Sequence, residues 1–513
     1  MHFAQGLRLE LLTTAEMGQA DRLTIAGGVA GIELMENAGR AVAENVAAHH
    51  PPGARVAVVV GPGNNGGDGL IAARLLRERG FRPRVLLLGS LDRFKGDALT
   101  AAQRWNGPYE AATPAGLAPG ELIVDALFGA GLDRPVEASA RGMIEAMNAA
   151  AACVHAVDLP SGINGTTGEV MAVAVRASHT VTFFRRKLGH VLLPGRLHCG
   201  KVHVCDIGIA PDALDAIKPR TWVNSQSLWL ESFPTPKVEG HKYSRGHAVV
   251  VSGASFSTGA ARLAARAALR AGAGLVTIAS PREALAINAA ANLAVMVRAV
   301  DGPGELAEFL RDHRRNAIVL GPGGGVGEAM RALVMAALEG ERSVVLDADA
   351  LTSFAGDPRP LFAQVRSRKS ATLITPHEGE FMHLFSTMDE IAKAGSKLDR
   401  ARLAAARTGA LCLIKGADTV VAAPDGRAAV LDEAPPWLAS AGAGDVLAGL
   451  AAGLLAQGMP GFEAAAAAVW LHAQAGVVAG PGLIAEDLPE MMPRVYRPLY
   501  ELANARRSAS STR

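Results

Sequence analysis

Four short segments hold residue types whose spacing suits chemistry. The first is Gly61–Gly69, GPGNNGGDG, in which Gly61, Gly63 and Gly66 satisfy G-x-G-x-x-G. Glycines there admit a ligand close to backbone N–H groups, and a following helix offers its N-terminus to an anion. A tight strand-to-helix turn has the same letters. No acidic residue directly closes the next strand, RVLLLGS, as a dinucleotide dehydrogenase requires, and no Gly-Lys-Ser/Thr marks a P-loop. Asn64, Asn65 and Asp68 add oxygen groups that hydride transfer does not need. The next two segments each end a strand in aspartate, Asp125 in VDALFGAGLDRP and Asp158 in VDLPSG. Ligands of open α/β sheets bind beyond the carboxyl ends of strands. Either aspartate alone could be a helix cap. The pair beside a glycine-rich loop favours a site, and Asp158–Gly162 puts a carboxylate, a rigid proline and the Ser161 hydroxyl on one turn. Such a turn can supply a general acid/base and a cation ligand.

The fourth segment is SAGAGDVLAG, Ser440–Gly449. Gly-x-Gly-Asp at a helix start turns backbone N–H groups toward an anion, with Asp445 placed to take a proton from a hydroxyl. The alternative is an aspartate that caps an alanine-rich helix. Upstream, Lys415–Thr419 (KGADT) follows a strand and suits nucleotide phosphate or ribose. Thr375–Glu380 (TPHEGE) follows another, offering His377 as a polar substrate contact and Glu380 as an outer-shell metal ligand.

The elements that must position these groups repeat one grammar. β-branched runs such as Arg55–Val60, Glu121–Gly129, Cys153–Asp158 and His179–Phe184 alternate with helical patterns such as Leu70–Gly80. Later come His247–Gly253, Gly274–Ser280, Asn316–Gly323, Ser343–Ala350, Ala371–Pro376 and Ala410–Gly416. Strands apolar on both faces between amphipathic helices predict α/β architecture with covered parallel sheets. The pattern breaks near Asp212–Pro236, which predicts domains at 1–219 and 228–505. The first 45 residues read as helical, and Arg506–Arg513 as a disordered tail.

Composition narrows the class. Lys+Arg number 51 and Asp+Glu 49, a net charge of +2 that gives no reason to expect nucleic acid or a membrane surface. Hydrophobic residues at 49% and charged residues at 19% are globular, not disordered. The cysteines Cys153, Cys199, Cys205 and Cys412 form no C-x-x-C pair, against a disulfide framework or zinc site and for the cytoplasm. The start MHFAQGLRLELLTTAEM lacks the apolar core of a signal peptide. Ala464–Ala485 carries no formal charge but is mostly Ala and Gly, so a buried helix is expected rather than a membrane span.

Met35–Ala41 (MENAGRA), Gly61–Gly69, Asp125–Gly131 (DALFGAG), Asp158–Gly162 and Thr182–His190 (TFFRRKLGH) resemble the NAD(P)H-hydrate epimerase domain over nearly all of the first half. The resemblance implies a Rossmann-like, three-layer αβα domain with Asp158 catalytic. It also implies that Asn64, Asn65, Gly66, Gly67 and Asp68 contact the hydrated nicotinamide nucleotide, as do Gly129, Ala130, Gly131, Leu132, Asp133, Arg134 and Pro135. A potassium ion, K+, would be held by oxygens of Asn65, Asp125 and Ser161. Lys187 matches the family's lysine. Arg185 and Arg186 replace the usual small residue and proline, and read as a solvated face or as further phosphate contacts.

Thr258–Ala261, Thr375–Glu380, Lys415–Thr419 and Ala441–Asp445 resemble the ADP-dependent NAD(P)H-hydrate dehydratase domain, over about Lys237–Pro489. This implies a ribokinase-like αβα domain with Asp445 catalytic. Ala260, Gly323, His377 and Asp445 would meet the hydrate, and Lys415, Gly416, Ala417, Asp418, Thr419 and Gly444 would meet ADP, accompanied by Mg2+. GPGGG (Gly321–Gly325) departs from the common Gly-Pro-Gly-Leu-Gly, and Ala434–Trp437 (APPW) replaces asparagine-rich residues. The two resemblances together imply a cytoplasmic homo-oligomer that epimerises NADHX and NADPHX. It would also dehydrate the S forms at the expense of ADP or ATP, releasing phosphate. A vitamin or sugar kinase in the second half and a non-catalytic binding module in the first stay open.

Overall fold

The computed structural model describes residues 9–511, and the side chains of all these except 138 and 506–511. The chain divides between Thr221 and Trp222 into two compact units. In the first, seven parallel strands form one sheet. Its order is Tyr109–Ala111, Arg82–Leu87, Arg55–Val60, Leu122–Ala126, Val154–Val157, His179–Phe183 and Lys201–Cys205. The order reverses between Arg55–Val60 and Leu122–Ala126, the position at which such sheets open a ligand crevice. Successive residues of Arg55–Val60 are buried on opposite faces. Val56, Val58 and Val60 share a core with helices Gly31–His49 and Asn64–Glu78, while Ala57 and Val59 meet helix Ala138–Ala149. That alternation makes three αβα layers.

Helix Asn64–Glu78 begins six residues before the periodic stretch at Leu70. Gly66, Gly67 and Gly69 therefore lie in its first turns rather than in a loop. Glycine weakens an isolated helix, but packing wins here. A Cβ on Gly66 would strike the Gly61 carbonyl, and one on Gly69 would lie 2.5 Å from the Ala126 Cβ.

The second unit holds ten strands. Six are consecutive parallel neighbours: Leu411–Ile414, Thr372–Ile374, Ser343–Leu346, Ala317–Leu320, His247–Val251 and Leu275–Ser280. Met296–Ala299 extends the sheet in parallel, and an antiparallel hairpin, Val420–Ala422 with Ala428–Val430, extends its other side. The alanine-rich run forms helix Gly461–Ala479, whose Ala464–Ala468 are wholly buried in this core. Helices Thr258–Arg270 and Ala443–Ala456 touch backbone to backbone, since a Cβ on Gly449 would strike the Ala264 carbonyl. Gly449→Ala should therefore cost about 1–3 kcal/mol by overpacking, read from the denaturation midpoint of the second unit. An unchanged midpoint would contradict the close approach.

The ends of the chain differ in part from expectation. Thr14–Ala26 and Gly31–His49 are helical, and residues 1–8 lie outside the described residues. The last helix, Asp487–Ser511, continues through most of the expected disordered tail. Alanine and arginine there are strong helix formers. Residues 512 and 513 lie outside the described residues.

Candidate active sites

In the first unit a cavity of about 620 Å³ opens at the reversal of strand order. The helix start after Arg55–Val60 brings Asn64, Asn65 and Asp68 to it, and the loop after Leu122–Ala126 brings Gly129 through Arg134. Asp158 and Lys187 complete its wall. Gly66 and Gly67 are buried in the helix behind the wall, and Pro135 is exposed outside the lining.

Asp158 adopts a left-handed backbone conformation, φ 64°, rare for a residue with a side chain and a form of strain that gathers at functional sites. Its Oδ1 accepts from Lys187 Nζ at 2.7 Å and from Thr182 Oγ1 at 2.9 Å, and its Oδ2 from the Ala130 N–H at 3.0 Å. His190 Nδ1 accepts from the Lys187 N–H, so its Nε2 donates to the Asp158 carbonyl at 2.8 Å. Burial pushes the Asp158 pKa up, but Lys187 outweighs it and holds the carboxyl below its ordinary value. Asp68 goes the other way. Burial, then Asp158 and Asp21, raise it well above the usual carboxylate range. One cavity thus holds two carboxyls whose surroundings push their pKa values in opposite directions, the pattern that separates base from acid.

Asp125 is fully buried on the neighbouring strand end. Its Oδ1 accepts from Ser161 Oγ at 2.6 Å and its Oδ2 from the Ser161 N–H at 2.8 Å. Ser161 Oγ in turn accepts from the Phe128 N–H at 2.9 Å. Asn65 stands beside the next residue, since a Cβ on Gly129 would lie 2.7 Å from Asn65 Oδ1 and 3.3 Å from Asp158 Oδ2. Asn65 Nδ2 is buried without a hydrogen-bond partner. Burial raises the Asp125 pKa to about 6 against its neutral donors. A buried carboxylate without a cation, the Ser161 hydroxyl and the Asn65 Oδ1 are oxygen donors that fit a weakly hydrated monovalent ion such as K+ better than Mg2+.

Arg185 corrects the solvated-face alternative drawn from sequence. It is 7% exposed, ion-paired with Glu10 at 2.7 Å and stacked on Phe184 at 4.4 Å, and it holds the segment before Lys187.

In the second unit four neighbouring strands end in the segments singled out above: Ala317–Leu320 in Gly321–Gly325, Ser343–Leu346 in Asp347, Thr372–Ile374 in Thr375–His377 and Leu411–Ile414 in Lys415. His377 and Lys415 form a parallel β-bridge. Lys415 Nζ lies 2.7 Å from Asp347 Oδ1 and 3.8 Å from Glu380 Oε2, and a Cβ on Gly444 would be 3.3 Å from it. Burial opposes its charge, but Asp347, Glu380 and Asp445 raise the Lys415 pKa. Burial, then Asp347, lifts Asp445 to about 6 despite Lys415. Three carboxylates around one ammonium leave surplus negative charge, which fits a divalent ion carried with nucleotide phosphates, as Mg2+ is.

Asp445 is not the helix cap. Gly442, φ 86°, caps helix Ala443–Ala456 with no side-chain hydrogen bond; the Ala443 N–H donates to the Ser440 carbonyl at 3.2 Å, which leaves the N–H groups after it to an anion. His377 is a cap: its Nδ1 accepts from the Gly379 and Glu380 N–H groups at 3.0 and 3.2 Å. Ala260 and Gly323 lie side by side, a Cβ on Gly323 falling 3.2 Å from that of Ala260. The side chains of the KGADT loop turn inward. Asp418 pairs with Lys397 at 2.6 Å, and Thr419 Oγ1 donates to the Gly416 carbonyl at 2.7 Å. Gly416 and Ala417 are exposed.

Sequence reasoning passed over His472, which interrupts the alanine run. It bonds the Ala443 backbone beneath the Gly442–Asp445 turn, and burial lowers its pKa to about 4. Its Nε2 is buried without a partner. A histidine two residues before Gln474 in an otherwise apolar stretch of the helix was the available signal.

Fold and sites define a two-unit α/β enzyme with an acid–base centre in one unit and an anion-holding centre in the other. The family described as NAD(P)H-hydrate dehydratase matches residues 248–489, and that described as YjeF-related protein N-terminus matches residues 31–189. The bifunctional NAD(P)H-hydrate repair enzyme of Moorella thermoacetica is 36% identical, covering 96% of this chain and 97% of its own. That of Salinibacter ruber is also 36% identical, with the same coverage. Among solved structures, the ADP/ATP-dependent NAD(P)H-hydrate dehydratase of Bacillus subtilis, co-crystallised with ATP/Mg2+, is 27% identical with a TM-score of 0.48. It covers 54% of this chain and 98% of its own. The chain belongs to the family of bifunctional NAD(P)H-hydrate repair enzymes.

Proposed function

We propose that the second unit dehydrates the S epimers of NADHX and NADPHX at the expense of ADP or ATP, and that the first unit interconverts the R and S epimers. What carries the dehydration is Asp445 beside an uncapped helix start, with Lys415 at the same strand ends. Asp445 takes the proton of the ring hydroxyl as its oxygen attacks the terminal phosphoryl group. The Gly442 and Gly444 amides and Lys415 hold the developing charge. Phosphate then leaves with the C–O bond electrons, pushed by the ring nitrogen, and loss of the adjacent C–H proton restores the double bond. Mg2+ would screen the phosphate charges against Asp347 and Glu380. A sugar or vitamin kinase would instead keep the phosphate on its product. Incubation with the S epimer should release one phosphate for each dihydronicotinamide formed, and a stable phosphorylated product would overturn the reading.

In the first unit Asp68 protonates the departing hydroxyl, the ring nitrogen supplies the electrons, and water returns to the opposite face as Asp158 accepts its proton. Lys187 keeps Asp158 ionised. Bound K+ would give the buried Asp125 carboxylate a counter-charge, with Asn65 and Ser161 as further oxygen donors. A carboxyl whose folded pKa is raised contributes most stability below its unfolded value, about 4, and loses it as pH rises through the folded value. K+ binds the ionised form, so its stabilisation of the first unit should grow as pH rises through about 6. Asp125→Asn should abolish that growth. A melting temperature indifferent to K+ at neutral pH would remove the ion from the site. Free cysteines and the NAD(P)HX and ADP substrates support a cytoplasmic setting.

A further inference from the structure

Five histidines meet at the end of the first unit's sheet opposite the Asp158 cavity. Val154–Val157 and His179–Phe183 pair with His155 opposite His179, and Val181 pairs with His203 on the next strand. Residues directly opposite share a face, and alternate residues along a strand do too. Cys153, His155, His179 and His203 therefore lie on one face. Helix Gly31–His49 ends over it and adds His49 and His50. The His155 and His179 rings stack with centroids 4.9 Å apart and planes at 16°, and His49 lies 4.1 Å from His179.

We propose that this cluster binds borderline divalent transition ions of the Zn2+ type at two adjacent positions, one held by His49, His179 and His203, the other by His50, Cys153 and His155. In each triad the candidate ligand atoms all lie within 4.8 Å of one another. His179 Nδ1 and His203 Nε2 are 3.3 Å apart, His50 Nε2 and His155 Nε2 3.1 Å, and Cys153 Sγ and His155 Nε2 3.6 Å. Tetrahedral Zn2+ with ordinary bond lengths sets two nitrogens about 3.4 Å apart, and nitrogen and sulfur about 3.6 Å apart.

Asn45 orients one ring of each triad. Its backbone carbonyl accepts from His49 Nδ1 at 2.8 Å and its side-chain oxygen from His155 Nδ1 at 2.9 Å. Each ring then keeps a bare lone pair on Nε2, the tautomer that metal-binding histidines acquire from such partners. His50 and Cys153 both converge on the His155 lone pair. One lone pair accepts one hydrogen, so hydrogen bonding satisfies one of them, whereas an ion between them takes all three atoms. Nitrogen and sulfur donors select Zn2+, Co2+, Ni2+ or Cu2+ over Mg2+ or Ca2+. With three protein ligands, each position keeps a fourth for water or another small ligand.

The test uses the full chain without a polyhistidine tag, stripped with EDTA and dialysed against Zn2+. His49→Ala removes a ligand from one triad and His50→Ala from the other, both at the end of a helix and outside the lining of the Asp158 cavity. Wild type should retain about two Zn2+ per chain, each single variant about one, and the double variant none, with unchanged dehydration and melting without metal. Co2+ should give a sulfur-to-metal charge-transfer band that is present in wild type and absent from Cys153→Ala. Failure of wild type to retain Zn2+, or a stoichiometry unchanged in the double variant, overturns the proposal. A single ion lost in only one of the two variants overturns the paired site.

Discussion

Asp445→Asn should bind ADP as wild type does and dehydrate S-NADHX at least about 100-fold more slowly, a loss of about 2.7 kcal/mol in transition-state stabilisation. The amide keeps the shape of the side chain and removes its ability to take a proton. Stability should survive, because the helix starting at Ala443 is capped at Gly442 without any side chain. The wild-type rate should carry a matching pH signature. Burial and Asp347 lift Asp445 to about 6, and only the ionised form accepts a proton. kcat/KM should therefore fall about tenfold per pH unit below about 6, and this limb should vanish from the residual activity of the variant. A variant that binds ADP, melts normally and dehydrates at full rate would leave Asp445 no catalytic role.

Asp158→Asn should slow epimer exchange by about 10²–10⁴-fold while the second unit still dehydrates the S epimer. The substitution also strands Lys187, whose side chain is 1% exposed and pairs with Asp158 at 2.7 Å. Removing one partner of a buried pair costs about 3–5 kcal/mol, so a melting transition of the first unit should shift down. Asp158→Asn/Lys187→Met removes both charges and should recover most of that stability without recovering exchange. Spontaneous exchange is subtracted with an enzyme-free blank. Exchange at the wild-type rate in either variant would make Asp158 structural. The depressed pKa of Asp158 also gives a direction with pH. Its contribution to stability is present above the ordinary carboxyl value of about 4 and is lost as pH falls through the lower folded value.

Much of this was legible in the chain because the central strands of both sheets are parallel and buried on two faces. Continuous apolar runs such as Arg55–Val60 and His247–Val251 identify their own strands, and the segments after them fall at the carboxyl ends where ligands bind. Short strands at the margins were not legible. Tyr109–Ala111, Lys201–Cys205 and the Val420–Val430 hairpin are too short or too alternating to stand out from turns. The start of helix Asn64–Glu78 was hidden because glycine reads as loop, while its real use is close packing against Gly61 and Ala126. Charge partnerships were hidden for a different reason. That Arg185 meets Glu10, that Lys187 meets Asp158, and that Asp68 is raised above its ordinary pKa all depend on side chains brought together from distant parts of the chain. The histidine cluster is the clearest case, since His49, His155, His179 and His203 share a face only once three strands and a helix end are in register.

The central claim is that one chain repairs both epimers, and an equal mixture of R- and S-NADHX tests it most directly. With ADP, Mg2+ and K+, the near-ultraviolet absorbance of the dihydronicotinamide should return for the whole mixture, with one phosphate released per molecule. Asp158→Asn should stop after a fast phase equal to the S fraction, leaving only the slow drift of the blank. A wild-type chain that also stops at the S fraction, or restores no absorbance while consuming ADP, would contradict the claim.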